Sequence, residues 1–199
     1  MASKAMVGIV GAGNVGSALR RGLERVGYQV RVAGKEPATL KELAGWADVV
    51  FLAVPFGAVG SVVAQLGSSI DGKVVVDVTN ALTEDMQLAL GCTTSGAEEL
   101  QKKVPRAKVV KAFNTVFAGT MDSGRAAGQQ LTAFAAGDDA GAKERVLALA
   151  RDVGFDAVDA GPLRNARWLE TLGFLNIQLG YVLGMGTEMG FRLVHGRAG

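Results

Sequence analysis

The sequence predicts an α/β fold: a doubly wound, mostly parallel Rossmann sheet with a C-terminal helical extension. Three observations predict it. Short Val-rich apolar runs without polar alternation recur between amphipathic segments, as strands covered on both faces by helices require. The loop Gly11-Ala12-Gly13-Asn14-Val15-Gly16 directly follows the first run and opens the first helical segment, the context in which that glycine spacing has structural meaning. The alternation stops at Gly161-Pro162, beyond which only a long apolar helical pattern remains.

Taken in order, Met6–Val10 reads as a buried strand, residues 15–25 as a helix and Gln29–Ala33 as the second strand. Residues 37–43 form a short helix. Strand three spans 48–54 and is ended by Pro55; a helix over 58–66 and a fourth strand over 73–78 follow. The unpatterned stretch 83–95 reads as a surface loop. Gly96–Lys103 is a helix, 108–113 a fifth strand, 131–136 a sixth, 140–151 a helix and 157–159 a short last strand. One continuous helix is expected over 163–183. The expected organisation is a dinucleotide-binding domain over 1–160, followed by a helix and tail over 161–199.

Composition narrows the function. The chain has 199 residues and a formal charge of +2, too little to argue for nucleic acid or an anionic membrane surface. A single cysteine, Cys92, allows no intramolecular disulfide and fits a reducing compartment. The start, Met1-Ala2-Ser3-Lys4, has no apolar signal core. The apolar stretch 173–186 is short and carries Asn176 and Gln178, so no membrane span is expected. A soluble, cytoplasmic protein is the reading.

The glycine loop carries the first chemistry. Gly11 allows the tight turn, Gly13 lets the backbone approach a pyrophosphate, and Gly16 lets the helix pack closely, while free N–H groups at the helix start hold the anion. The second signal lies at the tip of strand two. An NAD site places Asp or Glu there for the ribose 2′-hydroxyl, whereas this sequence places Gly34 and Lys35, and a cation suits the 2′-phosphate of NADP. Glu36 comes late and reads as a helix-start residue; Arg31 reads as a surface charge at least as readily as a ligand. Third are the later strand tips, Val54-Pro55-Phe56, Thr79-Asn80 and Asn114-Thr115. The two Asn–Thr pairs, Thr79-Asn80 and Asn114-Thr115, offer neutral donors and acceptors for a carboxamide, a ribose or a polar ring edge, with ordinary turn chemistry the equal alternative at Asn80 and Asn114.

No catalytic or metal-ligating side chain is assigned. His195, the only histidine, lies near the C-terminus and reads as a tail residue; Cys92 reads as an unreactive thiol. There is no Cys/His cluster and no G-x-S-x-G nucleophile site. Hydride transfer between two rings needs positioning more than acid–base help, and this residue set favours it over oxidation of an alcohol.

The glycine loop, Val54-Pro55-Phe56, Val-Val-Asp-Val-Thr-Asn after the fourth strand, Val-Val-Lys-Ala-Phe-Asn-Thr over 109–115 and the Gly161-Pro162-Leu163 helix opening resemble the NADP oxidoreductases dependent on coenzyme F420. The cytoplasmic domain of the STEAP metalloreductases is similar. The resemblance implies a single Rossmann domain, a short helical addition that helps make a dimer, and hydride transfer between NADP and a deazaflavin. For the STEAP-like case it implies transfer to a flavin (FMN or FAD), with ferric reduction downstream. Carried over by residue, Gly11, Gly13, Asn14 and Val15 match the pyrophosphate loop, and Gly34 and Lys35 match the pair that holds the 2′-phosphate. The family commonly shows Ser-Arg at that pair, so one hydroxyl and a bidentate fork are missing here. Pro55 and Phe56 match the adenosine side, Asn80 and Asn114 the nicotinamide side. The second ring is left open.

The terminal helical pattern is apolar nearly all round, with Leu163, Leu169, Leu172, Leu175, Ile177, Leu179, Val182 and Leu183. Such a helix must be buried on more than one side, and a homodimer interface is the expected partner, burial within the monomer the alternative. Besides transfer to a small-molecule flavin or deazaflavin acceptor, two other functions fit: a non-catalytic NADP-sensing protein, and a reductase of a small imine, which would need a further helical substrate domain.

Overall fold

The computed structural model describes residues 4–194 and 196. Along the chain run β1 (Met6–Val10), α1 (Asn14–Arg25), β2 (Gln29–Ala33), α2 (Pro37–Trp46), β3 (Val49–Leu52), α3 (Val59–Leu66) and β4 (Val74–Asp77). There follow α4 (Gly96–Lys103), β5 (Lys108–Ala112), α5 (Ala118–Met121), β6 (Arg125–Ala126), β7 (Gln129–Gln130), β8 (Thr132–Gly137), α6 (Ala140–Val153), β9 (Asp156–Asp159) and α7 (Ala166–Ile177). The main sheet has the order β2-β1-β3-β4-β5-β8-β9. Its first five strands are parallel; β8 lies antiparallel to β5, and β9 parallel to β8.

Strand periodicity divides the core in two. Val7, Ile9, Val49, Phe51, Val74, Val76, Val110 and Ala112 face α1 and α6. Their alternates Val10, Val50, Leu52, Val75 and Val109 face α2, α3, α4 and the start of α7. Both faces are thus buried, and the expected doubly wound α/β architecture with a C-terminal helical part is what the chain adopts. Local chemistry sets several helix starts. Ser95 accepts from the Glu98 N–H while its hydroxyl donates to the Glu98 carboxylate, and Asp139 accepts from the Ala142 N–H, both satisfying otherwise orphaned donors.

Three features depart from the sequence pattern. Between β5 and β8 the chain forms the single turn α5 and the small hairpin β6–β7. A parallel neighbour would need a crossover helix; this folded-back connection delivers β8 antiparallel instead. The expected helix over 163–183 is helical without interruption from Leu163 to Val182, but its hydrogen-bond pattern changes from a 3₁₀ turn (Leu163–Asn165) through α7 to a π turn (Gln178–Val182). The π turn closes with the Leu183 N–H on the Gln178 carbonyl, and Gly184 at φ +71° ends it. Finally, α7 is no separate appendage, because Leu163 and Ala166 belong to the same apolar cluster as α2, α3 and α4.

Buried polar groups tie α7 to the sheet. Asp77 and Lys111 are register partners on β4 and β5 and point to the same face. The Lys111 ammonium, fully buried, lies 3.0 Å from the Asp77 carboxylate and 2.9 Å from that of Glu170 on α7, and donates to the Thr79 carbonyl at 2.6 Å. Glu170 also accepts from the N–H groups of Gly96 and Ala97 at the start of α4. Burial alone pulls the Lys111 pKa down, but the attraction of Asp77 and Glu170 outweighs it and holds the pKa above its ordinary value. Around this cluster, Arg167 forks onto Glu98 at 2.7 and 2.8 Å, the Asn114 amide donates to the Leu169 carbonyl, and the Asn176 amide donates to the Thr115 carbonyl.

Removing the ammonium while keeping the volume leaves two carboxylates buried without their cation. Lys111→Met should therefore cost about 3–5 kcal/mol of stability, read as a lowered midpoint in chemical denaturation with an unchanged slope.

Candidate functional site

Strand order reverses beside β1, with β2 on one side and β3 on the other; in such sheets ligands sit in the crevice outside the strand ends at that point. A cavity of about 490 Å³ opens there, lined by Gly11, Gly13, Gly34, Lys35, Val54 and Pro55, with Ala58, Ser61, Val62 and Gln65 from the α3 side. A second, of about 260 Å³, is lined by Gly13, Asn14, Val15, Val54, Pro55, Val78, Thr79 and Asn80. The two share Gly13, Ala53, Val54 and Pro55, and so make one groove running from the tip of β2 to the tip of β4.

The three loop glycines answer to different constraints. Gly11 has φ +113°, and a Cβ there would overlap the Ala53 carbonyl. At Gly16 a Cβ would overlap the Gly11 carbonyl oxygen, so the helix lies directly against the turn. Gly13 is different: nothing lies within 4 Å of the position its Cβ would take. The fold does not require glycine at 13, and the space it keeps open is the floor of the groove. Gly13 is also the N-cap of α1 and supplies no side-chain cap, and the first turn holds no acidic residue. The α1 start therefore offers uncapped N–H groups and the positive end of its dipole to an anion.

At the far end, Lys35 is exposed and makes no hydrogen bond or ion pair among the described residues, which leaves its ammonium free for a phosphate. Arg31 stacks on the Trp46 ring at 4.3 Å. The α3 wall was not foreseen. Ala58, Ser61, Val62 and Gln65 share one helical stripe at spacings of three and four, a pattern readable in the sequence but indistinguishable from an ordinary surface face without the groove. The Gln65 carbonyl Oε1 is buried and unpartnered.

Not every expected residue lines the groove. Gly16 is buried beneath it. The Phe56 ring turns toward Gly96 at the start of α4, because the 3₁₀ turn Phe56–Ala58 carries it away from the groove. Asn114 is buried and lends its amide to the fold: it donates to Asn80 Oδ1 at 3.0 Å and to the Leu169 carbonyl at 2.8 Å, and its own carbonyl accepts from Asn80. Phe113, at φ +62°, makes the bend that turns Asn114 inward; a bulky residue in that region is strained. A Cβ at Gly173 would crowd both asparagines, so α7 backs the groove at Asn80. Asn80 alone of the pair lines the cavity. Cys92 is exposed, and His195 lies outside the described residues.

Comparison with known proteins follows the same ground. Residues 6–46 and 36–81 match the model of a family described as NADP oxidoreductase, coenzyme F420-dependent. The chain is 31% identical over 179 residues to metalloreductase STEAP3 of Rattus norvegicus, a match covering 83% of this chain and 36% of that protein; it spans little more than a third of the STEAP relatives. It is 29% identical over 163 residues to the F420-dependent NADP reductase of Methanocaldococcus jannaschii, covering 79% and 71% of the two chains. A solved structure of a proposed F420-dependent NADP-reductase from Arthrobacter sp. FB24 superposes with a TM-score of 0.87 at 27% identity, covering 96% of this chain and all of the other.

The loop geometry separates two kinds of glycine variant. Gly13→Val should abolish dinucleotide binding in a calorimetric titration while the melting temperature stays near that of the unaltered protein. Gly16→Val should lower the melting temperature itself, because its side chain has only backbone to enter.

Proposed function

We propose that the chain is a member of the NADP oxidoreductase, coenzyme F420-dependent, family, whose model residues 6–46 and 36–81 match, and that it transfers hydride between NADP(H) and a small-molecule flavin or deazaflavin acceptor. The observation that carries the reading is the groove itself, with a free lysine at one end, an uncapped helix start in the middle and a neutral cavity at the other end. Lys35 would hold the 2′-phosphate, the α1 start the pyrophosphate, and Val54, Pro55, Ser61 and Gln65 the adenosine. Asn80 and Thr79 would flank the nicotinamide. NADPH, when bound, supplies the hydride.

The side chains that line the second cavity, Asn14, Val15, Val54, Pro55, Val78, Thr79 and Asn80, carry no titratable group. They can orient a ring and exclude water, which is what transfer between two rings demands of a protein. Coenzyme F420, FMN and FAD all fit that requirement, and ferric reduction would follow outside the hydride step. Among the described residues no helix is long and apolar enough to cross a membrane, which is compatible with a cytoplasmic place of action.

We further propose that the protein is a homodimer. Leu169, Gly173 and Ile177 of α7 are buried, whereas Trp168, Leu175, Tyr181, Val182, Leu183 and Met185 are exposed. An apolar patch of that kind marks an interaction surface, and a second copy covers it symmetrically.

Two measurements follow. NADPH oxidation followed with F420, FMN, FAD and ferric chelates identifies the acceptor; tight NADPH binding with turnover on none of them would make the protein a sensor instead. In the same assay NADPH should outperform NADH, and Lys35→Ala should narrow the difference in affinity at least about tenfold, the scale of one hydrogen bond to a charged group. For assembly, sedimentation should show a dimer at micromolar concentration, and Leu175→Glu should shift it to monomers because the interface would bury an unpaired charge.

A further inference from the structure

Thr79 stands two residues beyond β4 and is only 5% exposed. Its hydroxyl oxygen is buried and has no hydrogen-bond partner, yet the residue lines the second cavity beside Asn14 and Asn80. A buried hydroxyl left unpaired carries an uncompensated desolvation cost, and such a group calls for an explanation. Its backbone, by contrast, is fully engaged. The Thr79 N–H donates to Asp77 Oδ1 at 2.9 Å, and the Thr79 carbonyl accepts from the Lys111 ammonium at 2.6 Å. The residue is thus held on both sides by the buried Lys111–Asp77–Glu170 cluster, and its β-branched side chain has few rotamers.

We propose that the Thr79 hydroxyl is a hydrogen-bond partner of the nicotinamide-riboside half of the cofactor, and that the Lys111–Asp77–Glu170 cluster is the device that positions it. The assignment rests on the groove being a dinucleotide site, as proposed above. Three features point to it. The rest of the second cavity is walled largely by Val15, Val54, Pro55 and Val78, the apolar lining with a few convergent polar groups that a flat ring requires. Asn80, its polar neighbour there, already exchanges two hydrogen bonds with Asn114, so its capacity for a ligand is reduced. A hydroxyl both donates and accepts, and so can meet a carboxamide or a ribose hydroxyl. The cluster acts only through Thr79: its charged groups are closed off beneath the groove, at 0%, 2% and 6% side-chain exposure.

The test is calorimetric and does not depend on turnover. Thr79→Val removes the hydroxyl at nearly constant shape and should weaken NADP⁺ binding about five- to tenfold, the range of one net hydrogen bond. Adenosine 2′,5′-bisphosphate, which lacks the nicotinamide riboside, should bind both proteins equally, and Thr79→Ser should restore NADP⁺ affinity to within about twofold. NADP⁺ stripped of its nicotinamide ring assigns the partner: a loss that persists with it points to the ribose, one that disappears to the carboxamide. If Thr79→Val does not fold, the same comparison is made between Thr79→Ala and Thr79→Ser. Equal weakening of NADP⁺ and the bisphosphate would overturn the proposal in favour of a structural role, and unchanged binding of both would overturn it outright. Should the unaltered protein bind neither ligand, the dinucleotide reading of the groove falls first, and the Thr79 assignment with it.

Discussion

A buried ammonium between two buried carboxylates governs how the second half of this molecule is arranged. Lys111 and Asp77 are neighbours across β5 and β4, and Glu170 reaches them from α7. The three charges sum to one excess negative. That excess is met by the N–H groups of Gly96 and Ala97 at the start of α4, where the helix dipole is positive. Lys111 cannot be withdrawn alone without stranding two carboxylates in the core. The cluster therefore fixes where α4 begins, where α7 lies and how the chain leaves β4, and those three placements build one end of the groove.

The groove shows a division of labour between holding shape and leaving space. Gly11 and Gly16 are glycines because protein atoms occupy the room a side chain would need, and Gly13 is open on its far side. The same division separates the two asparagines. Asn114 spends its amide on Asn80 and Leu169, while Asn80 keeps a face on the cavity. Residues that look equivalent at neighbouring strand tips thus serve different ends, one bracing the wall and the other forming it.

The C-terminal segment has two different faces. One side of α7 is committed to the sheet through Glu170, Asn176 and the carbonyl of Leu169. The opposite side and the π turn leave large apolar side chains in solvent. The inward face combines these polar ties with buried Ala166, Leu169 and Ile177, and apolar side chains on the outward face as well make the segment apolar on two sides. The segment also places the outward face directly behind Gly173, which backs Asn80.

Local sequence determined the strands of the parallel sheet, the helices between them, the glycine turn and the cation at the tip of β2. Each of these is written in short-range patterns: apolar runs, a spacing of glycines, Pro37 at a helix start, a charge where an acid could have stood. The sequence also contained Lys111 within its Lys-Ala-Phe-Asn-Thr segment, but nothing local says that its ammonium meets a residue 59 positions later. Only the tertiary structure decided that pairing, the reversal of β8, the widening of the last helix into a π turn at its end, and the turning of Phe56 and Asn114 away from the groove. It also decided that Ser61 and Gln65 line the groove, and that the Thr79 hydroxyl is left buried there without a partner. The physical reason is the same throughout. Secondary structure follows from the periodicity of neighbours along the chain, whereas the partner of a polar group is set by what the folded sheet brings within about 3 Å of it.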